Sequence, residues 1–527
     1  MRQFNVLTTA VAVILVLPVL LRPGGILADA ETQAAPDELS RVSAKSPFTA
    51  DCNGPAFPIT AAYVNAESEP YVVVNPTNPN NLIAVYHVDR YHNDGANGVL
   101  ASTSFDGGKT WQVPELKDQP PFTRCAGGNE ENGGDFEKAS DPWVDFGPDG
   151  TAYFSTIGWD ASNMDHTAQL VSTSTNGGRS WDSPVTVLRA NDPDVSNGSR
   201  SAVTADPIRQ GSAYIVWAWT RSAPASQAGG AISFSRTTDK GKTWSKVRHI
   251  YETPVGMQTS ANQIVVTPNG DLVNVFNELA MGAGSDHPRQ DRIAVIRSTD
   301  AGLTWSKPTT LAQSLVAGVT DPKTGTVVRV GDSFTDIAVD PRRGTNTIYA
   351  VWGDARFTVG QTQQIAFSKS VDGGLTWSEP VAVSTEQETQ TFIPSIAVND
   401  RGEVAVTYYG FSTRDSDSRA LMTDYWIKLS NDQGQSWTTG QQMNHEPFDL
   451  RTAPYNAGLF LGEYQGLAGA GQSFVAAATF TNGRDLVNRT DIYSCTVIPV
   501  DPKIPLSEGP ASETATSSDS PLSWICR

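Results

Sequence analysis

The sequence has little of what marks many functional classes. It holds 38 Lys and Arg against 56 Asp and Glu, a formal net charge of −18. Nucleic acid and anionic membrane surfaces are therefore poor partners, because both reward dense basic patches. The six histidines are scattered without a metal-binding spacing such as H-E-x-x-H, and the chain has no P-loop or dinucleotide fingerprint. We expect no metal site and no cofactor.

Long apolar runs are also missing, except at the start of the chain. Arg2, the apolar stretch Val6–Leu21 and the A-x-A sequence at Ala28–Ala30 are typical of a secretory signal covering residues 1–30. A membrane anchor is the alternative, but Pro18 interrupts the stretch, which is shorter than the ~20 residues of a spanning helix. We expect a secreted or extracytoplasmic protein, in the periplasm or at the cell surface, with no membrane insertion after cleavage.

Cysteine is scarce but even in number. None of the four residues has the C-x-x-C spacing of metal or redox sites, and export favours two disulfides. Three pairings are possible. We favour Cys52–Cys125 with Cys495–Cys526, which would fasten the two ends of the chain.

What the chain does have is an internal repeat of the form S/T-x-D-x-G-x-T/S-W. Its spacing of 60 to 72 residues indicates a repeat architecture. The third position is Asp in every copy except the second, where it is Asn. The six copies are Ser104–Trp111, Ser174–Trp181, Thr237–Trp244, Ser298–Trp305, Ser370–Trp377 and Ser430–Trp437.

The residue types of the repeat predict a tight β-hairpin. An Asp side chain can accept hydrogen bonds from backbone N–H groups across a turn, and Gly readily takes a positive φ. The Trp offers a large apolar surface for packing. We interpret these aspartates as structural rather than catalytic, because the turn occupies their carboxylates.

The repeat resembles the Asp-box (BNR) repeat of sialidases and related β-propellers, and the resemblance covers nearly the whole mature chain. It implies an all-β propeller of four-stranded antiparallel blades. A pair of apolar strands separated by a turn occurs seven times along the chain. We therefore expect seven blades, and the alternative is the six blades of sialidases. The pairs are Tyr71–Asn75 with Leu82–Val88, Trp143–Phe146 with Ala152–Ser155, Ala202–Ala205 with Tyr214–Trp217, Gln263–Thr267 with Leu272–Phe276, Ile337–Asp340 with Ile348–Trp352, Ile396–Asn399 with Val404–Tyr408, and Tyr464–Gly469 with Phe474–Thr479.

This organisation sets the expected domain limits. An N-terminal segment spans 31–56, a single propeller domain spans 57–503, and a tail rich in Ser, Thr, Pro and Glu spans 504–527. The seventh unit has no Asp box after its third strand. We expect Phe57–Val64 to supply its fourth strand, and the tail to be irregular apart from the part anchored by Cys526.

The ligand site is expected on the face opposite the Asp boxes, where the second strand of each blade ends. In four units an aromatic residue is followed four positions later by arginine, which places Arg90, Arg221, Arg356 and Arg484 around one mouth. Clustered guanidinium groups suit a carboxylate or phosphate ligand. The alternative is that each arginine pairs with a nearby acid such as Asp354 and ties loops together.

The sialidase resemblance implies roles for particular residues. Arg90 and Asp94 match in order a substrate arginine followed by the catalytic acid, and Tyr464 in Gly462–Leu467 resembles the nucleophile. Glu278 or Glu463 would polarise that tyrosine. The family's F-R-I-P arginine is replaced by Ser68, and Phe392–Ser395 resembles the same motif with its arginine deleted.

The resemblance therefore leads to two hypotheses about function. The first is a secreted sialidase-like glycoside hydrolase acting on sialylated or other anionic glycans. The second is a non-catalytic propeller that binds a glycan or a protein at the same mouth, which the lost arginine favours. The acidic loops Asp192–Asp194 and Asp415–Asp417 have oxygen ligands that suit Ca²⁺, but we favour solvated loops there. We expect a monomer.

Overall fold

Antiparallel β-strands form nearly all the regular structure in this computed structural model. It describes residues 39–49, 52, 62–160, 166–190, 195–196, 201–221, 228–281, 288–331, 334–384, 389–414, 419–483, 485–500 and 523–526. The expected signal sequence, the acidic loops at 192–194 and 415–417, and Arg484 lie outside these residues. The all-β fold class is confirmed for the described chain, whose helices are short 3₁₀ turns at Leu116–Asp118, Arg124–Ala126, Arg356–Thr358 and Leu450–Thr452.

The strands are, in chain order, β1 (Ser40–Arg41), β2 (Ala62–Tyr63), β3 (Ser68–Val74), β4 (Leu82–Tyr91), β5 (Ala96–Ser104), β6 (Lys138–Phe146), β7 (Ala152–Trp159), β8 (Thr167–Ser174), β9 (Val185–Ala190), β10 (Val195–Ser196), β11 (Ala202–Ala205), β12 (Ala213–Arg221), β13 (Gly229–Thr237), β14 (Arg248–Glu252), β15 (Met257–Val266), β16 (Leu272–Ala280), β17 (Arg289–Ser298), β18 (Thr309–Val316), β19 (Val328–Arg329), β20 (Asp336–Val339), β21 (Ile348–Asp354), β22 (Gln364–Ser370), β23 (Val381–Ala382), β24 (Thr389–Val398), β25 (Val404–Ser412), β26 (Met422–Ser430), β27 (Gln441–Gln442), β28 (Phe448–Asp449), β29 (Leu459–Phe460), β30 (Gly466–Ala470), β31 (Ser473–Thr481), β32 (Thr490–Val500) and β33 (Ser523–Cys526).

Most of these strands belong to antiparallel meanders that we call repeats 1 to 7. The repeats are β3–β5, β6–β9, β11–β14, β15–β18, β20–β23, β24–β27 and β30–β32. Repeats 1 and 2 are joined by one residue pair, Ala96 with Ala139. The first strand of each repeat contacts the first strand of the next, and β30 contacts β3.

The strand register places the Asp boxes and the predicted ligand site at opposite ends of each repeat. In repeat 1, Leu82 at the start of β4 pairs with Ser104, the first residue of the Asp box. Arg90 near the end of β4 pairs with Ala96. Eight residues of strand separate the two points, roughly 26 Å at the usual rise. We call the Arg90 end the mouth and the other end the box face.

Each Asp box closes its turn with the same set of hydrogen bonds. In repeat 5 the Ser370 hydroxyl donates to Asp372 Oδ1 at 2.7 Å and accepts from the Gly374 N–H at 2.8 Å. Thr376 donates its N–H to Oδ1 at 2.9 Å and its hydroxyl to Oδ2 at 2.5 Å. In repeat 2, Asn176 accepts from the Ser180 N–H and donates its amide to the Ser180 hydroxyl. The predicted structural role of the third position is confirmed.

The turn of each box also packs on the preceding repeat. Gly302 has a φ of +83°, and a Cβ there would lie 2.4 Å from the Phe234 ring of repeat 3. The Arg236 guanidinium of that repeat donates to the Ala301 carbonyl at 2.7 Å. Equivalent hydrogen bonds join Thr103 to Gly177, Lys369 to Gln433 and, between repeats 7 and 1, Thr496 to Gly107. Each box therefore fastens its own repeat to its neighbour.

The hydrophobic core is divided among neighbouring repeats. One buried cluster contains Val85 of repeat 1 with Phe154 of repeat 2, and another contains Val475 of repeat 7 with Leu100 of repeat 1. Similar clusters lie between the other neighbours. Burial thus depends on the contact between repeats. In the described part of the chain, no helix is long and apolar enough to cross a membrane.

Both ends of the chain complete repeat 7. Its third strand β32 pairs with β1 near the N-terminus and with β33 near the C-terminus. The expectation that Phe57–Val64 supplies this strand is wrong, because β2 pairs with the end of β4 in repeat 1 instead. The Cys52–Cys125 disulfide is confirmed, with a Cα–Cα distance of 4.8 Å. Cys495 is disulfide-bonded as well, and Cys526 lies opposite Val497 on the neighbouring strand.

A buried pair of acidic side chains lies where the N-terminal segment meets repeats 7 and 1. Asp491 contacts Arg41 and accepts from the Ser43 hydroxyl at 3.1 Å and the Asn482 amide at 2.6 Å. Glu67 is fully buried beside it. Burial, followed by the charge of Asp491, raises the pKa of Glu67 well above its usual value. A protonated Glu67 lets the two groups lie together.

The box geometry predicts different effects for two substitutions of Asp372. Asp372→Ala removes the acceptor of the Thr376 bonds and should cost about 1–2 kcal/mol, as for loss of a helix cap. Asp372→Asn should cost much less, because repeat 2 forms the same turn around Asn176. Thermal or denaturant unfolding of the two variants measures the difference. Equal destabilisation by both would contradict this role of the carboxylate.

Candidate active site

The mouth brings an arginine and an aspartate together as the sequence predicted. Arg90, near the end of β4, is 1% exposed, and its Nη2 lies 2.6 Å from Asp94 Oδ1. Its Nε and Nη1 are buried without a hydrogen-bond partner. Asp94 follows the strand in a tight turn with a φ of +83°, and its side chain is 54% exposed. A strained, exposed carboxylate on a buried guanidinium is typical of functional positions.

A second guanidinium, from a distant part of the chain, reaches the same carboxylate. Arg329 lies on β19, which pairs in parallel with β29 so that Arg329 stands beside Phe460. Its Nη1 is 3.4 Å from Asp94 Oδ1, the atom to which the Asn456 amide donates at 3.3 Å. The guanidinium groups of Arg90 and Arg329 lie 4.5 and 5.0 Å from the centre of the Phe460 ring. Two cations and an amide thus converge on one carboxylate oxygen.

Arg329 also joins Asp94 to Glu463. Its Nε donates to Glu463 Oε1 at 2.7 Å. Because both acids contact one guanidinium, their carboxyl oxygens lie no more than about 9 Å apart, a limit compatible with the separation of about 5–10 Å that glycoside hydrolases use. Although burial acts in the opposite direction, the charges of Arg90 and then Arg329 hold the pKa of Asp94 well below its usual value. Asp94 is therefore ionised in the free protein and can accept a proton.

Lys138 holds the Asp94 turn from the side of repeat 2. Its ammonium donates to Asn93 Oδ1 at 2.8 Å and to the Asp94 carbonyl at 3.1 Å, and it lies over the Tyr91 ring. Burial lowers the pKa of Lys138 to about 8, while the charge of Asp94 opposes that shift. The turn is thereby fixed between two repeats.

A buried glutamate supports the cluster from below. Glu69 Oε1 accepts from the Glu463 N–H at 3.0 Å, and the Glu69 N–H donates to the Leu461 carbonyl. Glu69 has a φ of +53°, and the backbone of Gly462 approaches it so closely that a Cβ there would lie 2.8 Å from Glu69 Cγ. Burial, followed by the charges of Asp141 and Glu463, raises the pKa of Glu69 to about 8. Glu69 is thus protonated at neutral pH.

A buried histidine lies beside Ser68. Ser68 is fully buried, and its hydroxyl lies 3.3 Å from His87 Nδ1. The same nitrogen lies 3.4 Å from Glu69 Oε2, and His87 Nε2 contacts the Ser140 hydroxyl at 3.0 Å. Burial and then the charge of Arg90 lower the pKa of His87, so the ring is neutral. Ser68, His87, Glu69 and Ser140 thus form a buried polar network.

The structure places Tyr464 in a layer of aromatic rings. It is 5% exposed, and its hydroxyl donates to the Pro142 carbonyl at 3.0 Å. Its ring packs edge-on against Trp143 at 5.3 Å and stacks on Phe334 at 5.8 Å. Glu278, the other glutamate suggested as a partner of Tyr464, contacts the Tyr251 hydroxyl of repeat 3 and Arg292 of its own repeat 4. Of the two suggested glutamates, Glu463 is the one that joins the Arg329 cluster.

The other predicted arginines make contacts within or near their own repeats. Arg221 lies 5.3 Å from the ring centre of Trp219. Arg356 pairs with Asp354 at 2.8 Å and donates to the Gln313 carbonyl, which matches the loop-tying alternative. Arg484 lies outside the described residues. Among the predicted arginines that the structure describes, Arg90 is the one found in the cluster.

Sequence reasoning missed two members of the site. Arg329 belongs to a segment between repeats 4 and 5 that has no strand-end pattern, and it reaches Asp94 across the mouth. Glu69 has no role in the site predicted from the sequence. The available signal was an acidic residue directly after Ser68, at the start of β3. In the described residues, no group of three or more His, Cys, Asp or Glu side chains is arranged to hold a metal ion.

Comparisons with known proteins give distant relatives. No family model matches the chain. A curated sialidase of Bacteroides fragilis (strain YCH46) is 24% identical over 212 residues, which is 38% of this chain and 38% of that protein. The chain thus spans well under half of that relative's length.

Similar solved structures include a Hadza microbial sialidase, with 17% identity, a TM-score of 0.43 and coverage of 68% of this chain and 66% of that one. A protein of unknown function from Dyadobacter fermentans has 14% identity and a TM-score of 0.42, covering 88% and 97%. An α-L-arabinanase of Penicillium chrysogenum has 14% identity and a TM-score of 0.41, covering 68% and 92%.

Protonation of Glu69 should make folding stability depend on pH. A carboxyl whose pKa rises from 4.5 to about 8 on folding stabilises the protein fully at low pH, and this stabilisation is lost as pH rises toward 8. Glu69→Gln keeps an acceptor for the Glu463 N–H but cannot ionise. Over this range its unfolding should release about one proton fewer per molecule than wild type, measured from stability against pH. An unchanged pH slope would contradict a protonated Glu69.

Proposed function

We propose that the chain is a secreted, sialidase-like, glycan-acting hydrolase whose site is the mouth at Arg90, Arg329 and Asp94, a proposal supported by its 24% identity to a curated sialidase over 38% of the chain. The observation that carries the proposal is the pair of guanidinium groups on one carboxylate. Planar guanidinium forks bind carboxylates in this way. The resident Asp94 side chain makes the contact that the carboxylate of a sialylated or other anionic glycan would make.

Substrate binding would change the chemistry of Asp94. An anionic sugar that takes the two guanidinium groups displaces the Asp94 carboxylate and removes the charges that lower its pKa. With both arginines engaged by the sugar, burial raises the pKa of Asp94, so the side chain takes up a proton from solvent and can donate it to a leaving group. Glu463 supplies the second carboxylate beside Arg329, and Glu69 holds its backbone. Asp94 is thus the proposed acid, and Glu463 is the proposed base.

We assign Tyr464 to the aromatic floor of this site rather than to nucleophilic attack. The Tyr464 hydroxyl donates to the Pro142 carbonyl, and its ring packs against Trp143 and Phe334, which are contacts that suit a structural role. The carboxylates of Asp94 and Glu463 then carry the reaction, as in most glycoside hydrolases.

We also propose that repeats 1 to 7 are the blades of one closed seven-bladed propeller. The contact of β30 with β3, and the Thr496–Gly107 hydrogen bond between repeats 7 and 1, support closure of the ring. The Cys52–Cys125 disulfide supports export, since such bonds persist in oxidising compartments.

A non-catalytic glycan-binding propeller is the second candidate. The observation that favours it is Ser68 at the place of the family's arginine, packed against a neutral His87. In that case the mouth would bind an anionic sugar without turnover. Binding and turnover must therefore be measured separately.

Affinity for free sialic acid tests the arginine pair. Arg329→Ala should weaken binding at least about tenfold, the effect of losing one charge-assisted contact. Calorimetry or ligand-observed NMR provides the measurement. Arg401→Ala is the matched control, because Arg401 pairs with Glu403 at 2.8 Å in the turn between the first two strands of repeat 6, on the box face. Equal affinities for wild type and Arg329→Ala would refute the proposed receptor.

Turnover of a fluorogenic sialoside separates the catalytic candidates. Asp94→Asn should lower kcat/KM at least about a hundredfold, as expected for loss of a general acid–base group. Tyr464→Phe should keep most of the activity. Loss of activity in Tyr464→Phe with activity kept in Asp94→Asn would reverse these assignments. Wild-type binding without turnover would establish the non-catalytic alternative.

A further inference from the structure

A cavity of about 220 Å³ lies between the first strands of repeats 1 to 5. It is lined mainly by apolar side chains, among them Phe146, Val203, Ile264 and Ile337. The bulges of β3 and β6 lie near the mouth ends of these strands. The residues of β3 and β6 that line the cavity come after the bulges, nearer to the box face. It is therefore distinct from the Arg90 cluster.

The cavity contains a carboxylate with no cationic partner. Asp145 accepts from its neighbour Phe146 N–H at 2.8 Å and from the Ala205 N–H of repeat 3 at 2.9 Å. Its side chain is enclosed by protein but remains partly accessible from the cavity it lines. In the described residues, no lysine, arginine or histidine pairs with it. Burial raises the pKa of Asp145 to about 7, against the two N–H bonds.

The wall of the cavity beside Asp145 is aromatic. It includes the stacked rings of Tyr71 and Trp143, whose centres are 3.6 Å apart. Aromatic faces attract organic cations.

We propose that this cavity binds a small organic ammonium ion, with Asp145 as its counter-ion and the Tyr71–Trp143 stack as part of its wall. The ammonium supplies the positive charge and the donors that the cavity lacks, and its alkyl part fills the apolar wall. The volume lies below the roughly 300–1,000 Å³ of pockets for drug-sized ligands, so the ligand is small.

The composition of the wall selects an organic cation over a metal ion. Ca²⁺ and Mg²⁺ require six or more oxygen ligands, including waters. The side-chain oxygens of the lining include the Asp145 carboxylate and the Thr204 hydroxyl, which donates to the Ile264 carbonyl. An alkylammonium needs few oxygens and gains from apolar burial.

Binding of n-butylammonium, with 1-butanol as its uncharged counterpart, tests the proposal. Ligand-observed NMR or Trp fluorescence should show saturable binding of the amine and much weaker binding of the alcohol. The affinity should rise about tenfold from pH 6 to pH 8, because Asp145 must be ionised and its pKa is near 7. Equal binding of the two compounds, or binding of neither, would overturn it.

Asp145→Asn should weaken amine binding at least about tenfold, because it removes the charge and keeps a similar shape. Asp336→Asn is the matched control. Asp336 accepts from the Ile337 and Ile396 N–H groups at 3.0 Å each, as Asp145 does between its own repeats, but it does not line the cavity. Loss of binding in both variants, or in neither, would overturn the proposal. If Asp145→Asn does not fold, the pH dependence of wild-type binding decides, and an affinity that does not rise from pH 6 to pH 8 would overturn the proposal.

Discussion

The contact of each Asp-box turn with the preceding repeat is the constraint on which the rest of the structure depends. Meanders of three or four strands bury little alone, and here the apolar clusters lie between repeats rather than within them. The Ala301 carbonyl in the box of repeat 4 accepts a hydrogen bond from Arg236 of repeat 3, and Gly302 lies against the Phe234 ring of repeat 3. One short turn thus fixes both its own hairpin and the spacing of two sheets. The spacing of the sheets in turn determines how far apart the residues of the mouth lie.

Much of this fold could be predicted because its signals are local. The Asp-box residues make their bonds within four positions, so their pattern is visible in sequence, and the seven strand pairs follow from short apolar runs. The completion of repeat 7 could not be predicted in this way. Residues 40–41 and 523–526 both pair with β32, and no local pattern connects chain segments so far apart.

In the candidate site too, the contacts that are local in sequence could be predicted and the distant ones could not. Arg90 and Asp94 are four residues apart at one strand end, and the sequence predicted that both lie at the mouth but not that they pair. Arg329 meets Asp94 only because β19 pairs with β29 across the mouth, a tertiary contact without a sequence signal. Arg356, which has the same aromatic-to-arginine spacing as Arg90, pairs with Asp354 instead. Spacing therefore places an arginine at the mouth but does not determine its partner.

The central claim is that the guanidinium groups of Arg90 and Arg329 form a carboxylate receptor, which Asp94 occupies in the free protein. A crystal structure of the protein with bound sialic acid tests this most directly. We predict that the sugar carboxylate lies between Arg90 and Arg329, beside the Phe460 ring, and that the Asp94 side chain is displaced. A sugar bound elsewhere, with Asp94 still on both arginines, would contradict it.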